Sequence, residues 1–204
     1  SSGLLDTAFG GDGLVTTNLA GALDYGNSAV VQPDGKTVIV GYALASMMYD
    51  VVVARYNPDG SLDTGFDFDG FAVTDFYSDD YARAVALQTD GKIVIAGTTW
   101  NLDSDFLVGR YNPDGSLDTG FGDNGTVVTD INGSSDDAYA IAIQPDGKIL
   151  VAGTSSVFNS DFAVVRYHPD GTPDNTFDFN GIAYTDINGG NDGCYGLLRQ
   201  ADGK

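Results

Sequence analysis

Carboxylates are the one reactive group this chain holds in quantity. It carries 29 acidic residues against 9 Lys and Arg, for a formal net charge of −20, and every acid is Asp. Many recur at fixed spacing. Asp24, Asp80, Asp136 and Asp192 each stand eight residues before a Gln, at positions 32, 88, 144 and 200. Asp50, Asp105 and Asp161 each stand five residues before an Arg, at 55, 110 and 166. Asp75, Asp79, Asp130, Asp137 and Asp186 fall close to the first set. Hard carboxylate oxygens gathered from several segments suit a divalent cation, Ca²⁺ above all, and no other cofactor is implied. The competing reading has each Asp capping its own turn through a nearby backbone N–H.

Other chemistry is thin. A glycosidase needs two carboxylates, so an Asp pair is arithmetically available. A catalytic pair is used once, however, and most of these acids return in every unit. The single His168 and the single Cys194 support no hydrolase triad and no internal disulfide. His168 stands where Asn57 and Asn112 stand in sister units, which marks a turn position. Without Glu the EF-hand pattern is absent, and no zinc or phosphate-loop motif occurs. No catalytic residue is therefore named. The candidate ligand-binding residues are Tyr49, Trp100, Asp103 and Phe158, in short segments that differ from unit to unit.

Charge limits the partners. Phosphate contacts need clustered Lys and Arg, so nucleic acid is excluded, and anionic membrane surfaces are disfavoured. No apolar run approaches the roughly 18 residues of a spanning helix, so membrane insertion is not expected. A glycan or protein ligand fits the charge.

The elements that must position these residues come from an internal repeat. Arg55–Phe66 and Arg110–Phe121 both read RYNPDGSLDTGF, and Arg166–Phe177 reads RYHPDGTPDNTF. Between them lies a Gln-x-Asp-Gly-Lys marker, its Gln recurring every 56 residues. Each unit divides into four short β-rich stretches. Strand A is 13–19, 70–76, 125–131 and 181–187; strand B is 28–32, 82–88, 138–144 and 195–200. Strand C is 36–42, 92–98 and 148–154; strand D is 50–56, 105–111 and 161–167. Asp59, Gly60, Asp114, Gly115, Asp170 and Gly171 form tight structural turns after strand D. A chain whose only acid is Asp favours strands and turns over helix, and no sustained helical period appears.

Four antiparallel strands per unit of about 55 residues make a β-propeller blade. The alternative is a β-solenoid-like stack. Ala96, Gly97, Ala152 and Gly153 are expected to let neighbouring sheets approach closely. The long D-to-A connection is expected to cross from one blade to the next. The blades are then approximately 10–58, 66–113, 121–169 and an incomplete 177–204. Three and a half blades do not close a ring, so the reading is a piece of a longer repeat chain, or copies that associate through open blade edges. The starts of B and D share one end of each blade, which predicts a rim of carboxylates there. The Arg and Lys of the repeat fall at the other end.

The units resemble the delta-60 repeat, a bacterial β-propeller repeat family of unknown function. The stretches that carry the resemblance are AIQPDGKILVAG (142–153), DFLVGRYNPDGSLD (105–118) and FGDNG (121–125). Unit four departs from it, with Gly193, Cys194 and Gly196 diluting strand B and Pro173 in place of Leu62 and Leu117. The resemblance implies an extracellular or cell-surface protein without enzyme activity. The function expected is a non-enzymatic structural or binding module, adhesive or recognising carbohydrate or protein. The alternatives are a self-assembling subunit forming rings or filaments, and a glycoside hydrolase or lyase using an Asp pair.

Overall fold

The computed structural model describes residues 3–19, 23–45, 47–76, 78–156 and 159–200. They hold three four-stranded antiparallel sheets and no helix. The first sheet is β1 (Asp24–Val31), β2 (Thr37–Ala45), β3 (Met48–Tyr56) and β4 (Phe71–Thr74). The second is β5 (Asp79–Leu87), β6 (Ile93–Trp100), β7 (Ser104–Tyr111) and β8 (Thr126–Thr129). The third is β9 (Asp136–Ile143), β10 (Ile149–Ser156), β11 (Ser160–Tyr167) and β12 (Ile182–Thr185). Strands follow one another in sequence order within each sheet, and the three sheets do not close into a barrel. This is the all-β, blade-type repeat that the spacing predicts.

The apolar runs explain why the sheets stack. On β6, Ile93 and Ile95 join Val38, Val40, Val51 and Val53 of the first sheet in one core. Val94 and Ala96, on the opposite face, join Val151, Ala163 and Val165 of the third sheet in another. A strand covered on both sides reads as a continuous hydrophobic run rather than an alternating one. β7 is accordingly buried along its whole length, while β11, on an end sheet, alternates buried and half-buried residues.

The strand order corrects the blade frame. Strand A does not open its own unit's sheet. It pairs with strand D of the preceding unit, as β3 with β4 and β7 with β8. The sheets therefore run over 24–74, 79–129 and 136–185, out of step with the units. The long D-to-A connection is the reason. Asn57 to Ser61 closes a tight turn, with the Asn57 N–H donating to Ser61 O. Leu62 then bridges back to Tyr56. The N–H of Asp63 donates to Arg55 O, and that of Arg55 to Gly70 O. The chain thus returns beside β3, and in sequence only four residues separate β4 from β5 of the next sheet. β1, β5 and β9 lie side by side at the narrow edge of the stack. The four-residue β4, β8 and β12 form the wide edge.

Two expected strands are absent. Residues 13–19 and 195–200 are irregular. In the corrected frame the first would be an outer strand and the second an inner one, each lacking its neighbour. An extended segment without a pairing partner leaves its N–H and C=O groups unbonded, so it gains nothing from strand geometry.

The repeated Arg motif supplies the fastening. Asp63 Oδ2 accepts from Arg55 Nε at 2.6 Å and from Lys36 Nζ at 2.8 Å. Asp118 does the same with Arg110 (2.7 Å) and Lys92 (2.6 Å), and Asp174 with Arg166 (2.7 Å) and Lys148 (3.0 Å). Each guanidinium also covers a ring, Phe66, Phe121 or Phe177, at 4.5–4.7 Å. Arg55 and Arg110 donate onward to the carbonyls of Pro113 and Pro169, in the D turn of the next sheet. The neighbouring Tyr of the motif looks back, Tyr111 to Thr74 at 2.8 Å and Tyr167 to Thr129 at 2.7 Å. The expected turn residues sit at the same seams. The carboxylates of Asp59, Asp114 and Asp170 cap their own turns through residues 61, 116 and 172. The carbonyls of Asp114 and Asp170 accept from Asp67 N and Gly122 N of the preceding sheet. Gly60, Gly115 and Gly171 have φ of 86–93°. At Gly115 a Cβ would also meet Asp67 N at 2.7 Å, so both backbone shape and inter-sheet approach demand Gly.

Asp63→Asn would leave two cations facing a neutral amide. An exposed pair is worth roughly 1 kcal/mol or less and breaking a fully buried one costs roughly 3–5, so this nearly buried pair belongs at about 2. Melts at pH 7 should show a midpoint about 4–8 °C lower. The Lys36 ammonium above all, then, against the cost of burial, the Gly65 amide and Arg55, holds the Asp63 carboxyl below its usual value. A depressed carboxyl pKa stabilises above the unfolded value, near 4, and the contribution is lost as pH falls through the folded value. The gap between wild type and variant should therefore narrow below about pH 4. An equal gap at pH 7 and pH 2.5 would assign the effect to packing instead.

Candidate functional site

Six of the seven Asp residues expected at a metal come together, in three groups, each with a third carboxylate from the sheet-to-sheet crossing. The groups are Asp50, Asp75 and Asp80; Asp105, Asp130 and Asp136; and Asp161, Asp186 and Asp192. Within each, one oxygen per residue lies within 4.8 Å of the others. Each group draws on the start of a third strand, the end of a fourth strand and the region just after the crossing, so it sits on a seam. Among the described residues Asp24 joins no such group; its Oδ2 accepts from Leu19 N at 2.9 Å.

Both sequence readings apply here, to different oxygens. One oxygen of the Asp at the start of the strand after each crossing caps that crossing: Asp80 Oδ2 accepts from Phe76 N and Asp136 Oδ2 from Ile131 N, both at 2.6 Å. Asp192 Oδ2 accepts from Ile187 N at 2.7 Å. Asp80 Oδ1 and Asp105 Oδ1 are buried with no hydrogen-bond partner among the described residues. Desolvation pushes the Asp80, Asp105 and Asp136 carboxyls up to about 6, with neighbouring carboxylates adding to the rise. Thr99 beside Asp80 draws its value partly back down, yet Oδ1 stays unbonded.

Next to this rim lies a pocket of about 410 Å³, lined by Asn27, Tyr42, Tyr81, Arg83, Tyr139 and Tyr195. Its construction repeats. The pairing of β1 with β2 slips between Gly26 and Ser28, of β5 with β6 between Ala82 and Ala84, and of β9 with β10 opposite Ala152 and Gly153. Asn27, Arg83 and Tyr139 are the extra residues of three β-bulges, a device that re-aims one side chain. Across from each bulge stands a glycine. A Cβ at Gly41, Gly97 or Gly153 would lie 1.7–1.9 Å from a carbonyl oxygen of the bulged strand. Gly97 and Gly153 thus admit the bulge within their own sheet, whereas the expectation was closer approach between sheets.

Aromatic rings fill the pocket wall. Tyr42 stacks on Tyr25 and meets Tyr81 edge-on, each at 4.8 Å between centroids. Tyr139 and Tyr195 lie 4.9 Å apart. The Arg83 guanidinium covers Tyr139 at 4.7 Å and pairs with Asp137 at 3.1 Å. Burial pushes the Tyr42 and Tyr81 hydroxyls up, so both remain protonated at neutral pH. Of the expected ligand residues, Tyr49 joins this cluster, 5.3 Å from Tyr42. Trp100 and Asp103 lie at the β6–β7 turn and line none of its wall. Phe158 lies outside the described residues. The six lining residues themselves were missed. For four of them a signal was present at the position five before each marker Gln, which reads Asn27, Arg83, Tyr139 and Tyr195 while its surroundings repeat.

Three stretches of the chain, 32–66, 88–121 and 144–177, match the domain of unknown function (DUF5122) beta-propeller, together about half of its length. The chain belongs to this family. Each DUF5122 match runs from the marker Gln to the Phe under the guanidinium, and the resemblance to the delta-60 repeat holds. The matches take in the second and third strands with their ion-pair hub, and leave out the innermost strand that carries the bulge. No curated protein matches the chain.

Gly97→Ala tests the bulge, since its Cβ would strike Tyr81 O at 1.8 Å. Overpacking of this kind costs typically 1–3 kcal/mol and more where backbone must move, so urea melts should show a loss of at least about 3. Gly120→Ala, with a nearest contact of 3.4 Å, should stay within about 1 kcal/mol of wild type.

Proposed function

We propose that this chain is a non-enzymatic binding module of an extracellular or cell-surface protein, and that its ligand is a neutral glycan held in the tyrosine-lined pocket. The observation that carries this reading is the bulge position. Three copies of one backbone device present three different side chains, Asn27, Arg83 and Tyr139, to one cavity. A fold that conserves the frame and varies the aimed residue behaves as a recognition surface. Tyr rings offer flat apolar faces with a polar tip, and Asn27 and Arg83 add planar donors that fix orientation. The net charge of −20 favours a neutral ligand over an anionic one. The carboxylate beside the pocket, Asp137, is engaged by Arg83 and by Thr98 (2.9 Å), which suits binding more than nucleophilic attack.

Titration calorimetry against a panel of neutral oligosaccharides should find a ligand in the millimolar range or tighter. Tyr139→Ala and Arg83→Ala should each weaken it at least tenfold with melts close to wild type. Binding indifferent to both substitutions, or none across the panel, would overturn the reading.

A further inference from the structure

We propose that Asp50, Asp75 and Asp80, and likewise Asp105, Asp130 and Asp136, form two Ca²⁺ sites, one at each seam between sheets. The inference stands apart from the glycan reading and rests on different residues. Three carboxylate oxygens within 4.8 Å of one another match the span across a Ca²⁺ ion whose ligands sit at roughly 2.4 Å. Carboxylates that bind through one or both oxygens supply three or more of the six to eight ligands, and water or backbone carbonyls complete the shell.

An acidic cluster alone would not argue for a metal. Here a second feature points inward. Asp80 is fully buried and Asp105 nine-tenths buried, and the Oδ1 of each has no hydrogen-bond partner among the described residues. A buried charged oxygen left unpaired is costly, and it calls for a cation or a proton donor. The protein's own cations do not supply one. None of the ion pairs among the described residues reaches Asp50, Asp80, Asp105, Asp130 or Asp136; the Lys and Arg of the repeat are committed to Asp63, Asp118 and Asp174.

The third group differs in a telling way. Where β4 and β8 carry Val73 and Val128, β12 carries Tyr184. The Tyr184 hydroxyl donates to Asp161 Oδ2, and Asn159 Nδ2 donates to its Oδ1 at 3.3 Å. Asp192 is only partly buried, where its counterparts Asp80 and Asp136 are fully buried. A tyrosine thus does for Asp161 what a cation would do at the other two groups. Two ions per chain are expected, not three.

Equilibrium dialysis with Ca²⁺ after EDTA treatment, at pH 7.5, should find two ions per chain, with dissociation constants between about 10⁻⁵ and 10⁻³ M. Asp80→Asn and Asp136→Asn should each remove one, and the double variant both. Asp105→Asn addresses the second site from another strand, so the count remains testable if one variant does not fold. Asp146→Asn, in a surface turn, should still bind two. Ca²⁺ at 5 mM should raise the melting midpoint by several degrees in wild type and leave the double variant unchanged. Tyr184→Val should raise the count toward three. Equal midpoints in Ca²⁺ and EDTA, or a count unchanged by Asp80→Asn and Asp105→Asn, would overturn the proposal.

Discussion

The buried pair between an Arg at the end of a third strand and an Asp eight residues on determines most of this architecture. Arg55 and Asp63, with their copies, pull the long connection back onto the strand it left. That return places the next four-residue strand at the outer edge of the same sheet. In sequence only four residues separate β4 from β5 of the next sheet, and the residues flanking the seam converge as a consequence. The carboxylates of Asp50, Asp75 and Asp80 meet because they flank that seam. One ion pair at one end of the blade thus arranges the acidic groups at the other.

The two ends of the stack differ electrostatically for the same reason. At the Arg end each Asp has two cations, one of them a guanidinium set over a ring, so charge is matched where water is sparse. At the crossing end carboxylates face one another, and burial lifts their pKa values toward 6. Charge is scarce in the chain as a cation supply, with 9 Lys and Arg in all, and the repeat spends most of them on the fastening. The unmatched groups are therefore built into the repeat.

Regularity and variation occupy different strands. The second and third strands supply the two apolar cores between the sheets, and the turn and loop that follow repeat nearly residue for residue. The innermost strand borders an opening, and its bulge points one side chain away from the ladder. That side chain is free to change. The glycine opposite is not, since a Cβ there would overlap a backbone oxygen.

Composition and periodicity already determined the class of fold, the number of strands per unit and the tight turns. These depend on local preferences: β-branched runs, Pro-Asp-Gly turns and the absence of helical period. The acidic rim was legible too, because in an antiparallel meander strands B and D run the same way and so start at one end. What the sequence left open was which strand pairs with which. The D-to-A connection, such as 57–70, reads equally well as a crossover or as a folded-back hairpin, and only the buried Arg–Asp pair and the bridge from Leu62 to Tyr56 decide it. Strands 13–19 and 195–200 failed for a related reason, since strand propensity has no effect without a neighbour to pair with. The tyrosine pocket was the least legible feature. Tyr42, Tyr81, Tyr139 and Tyr195 lie far apart in the chain, and a bulge depends on the register between strands, which exists only once the sheet has formed.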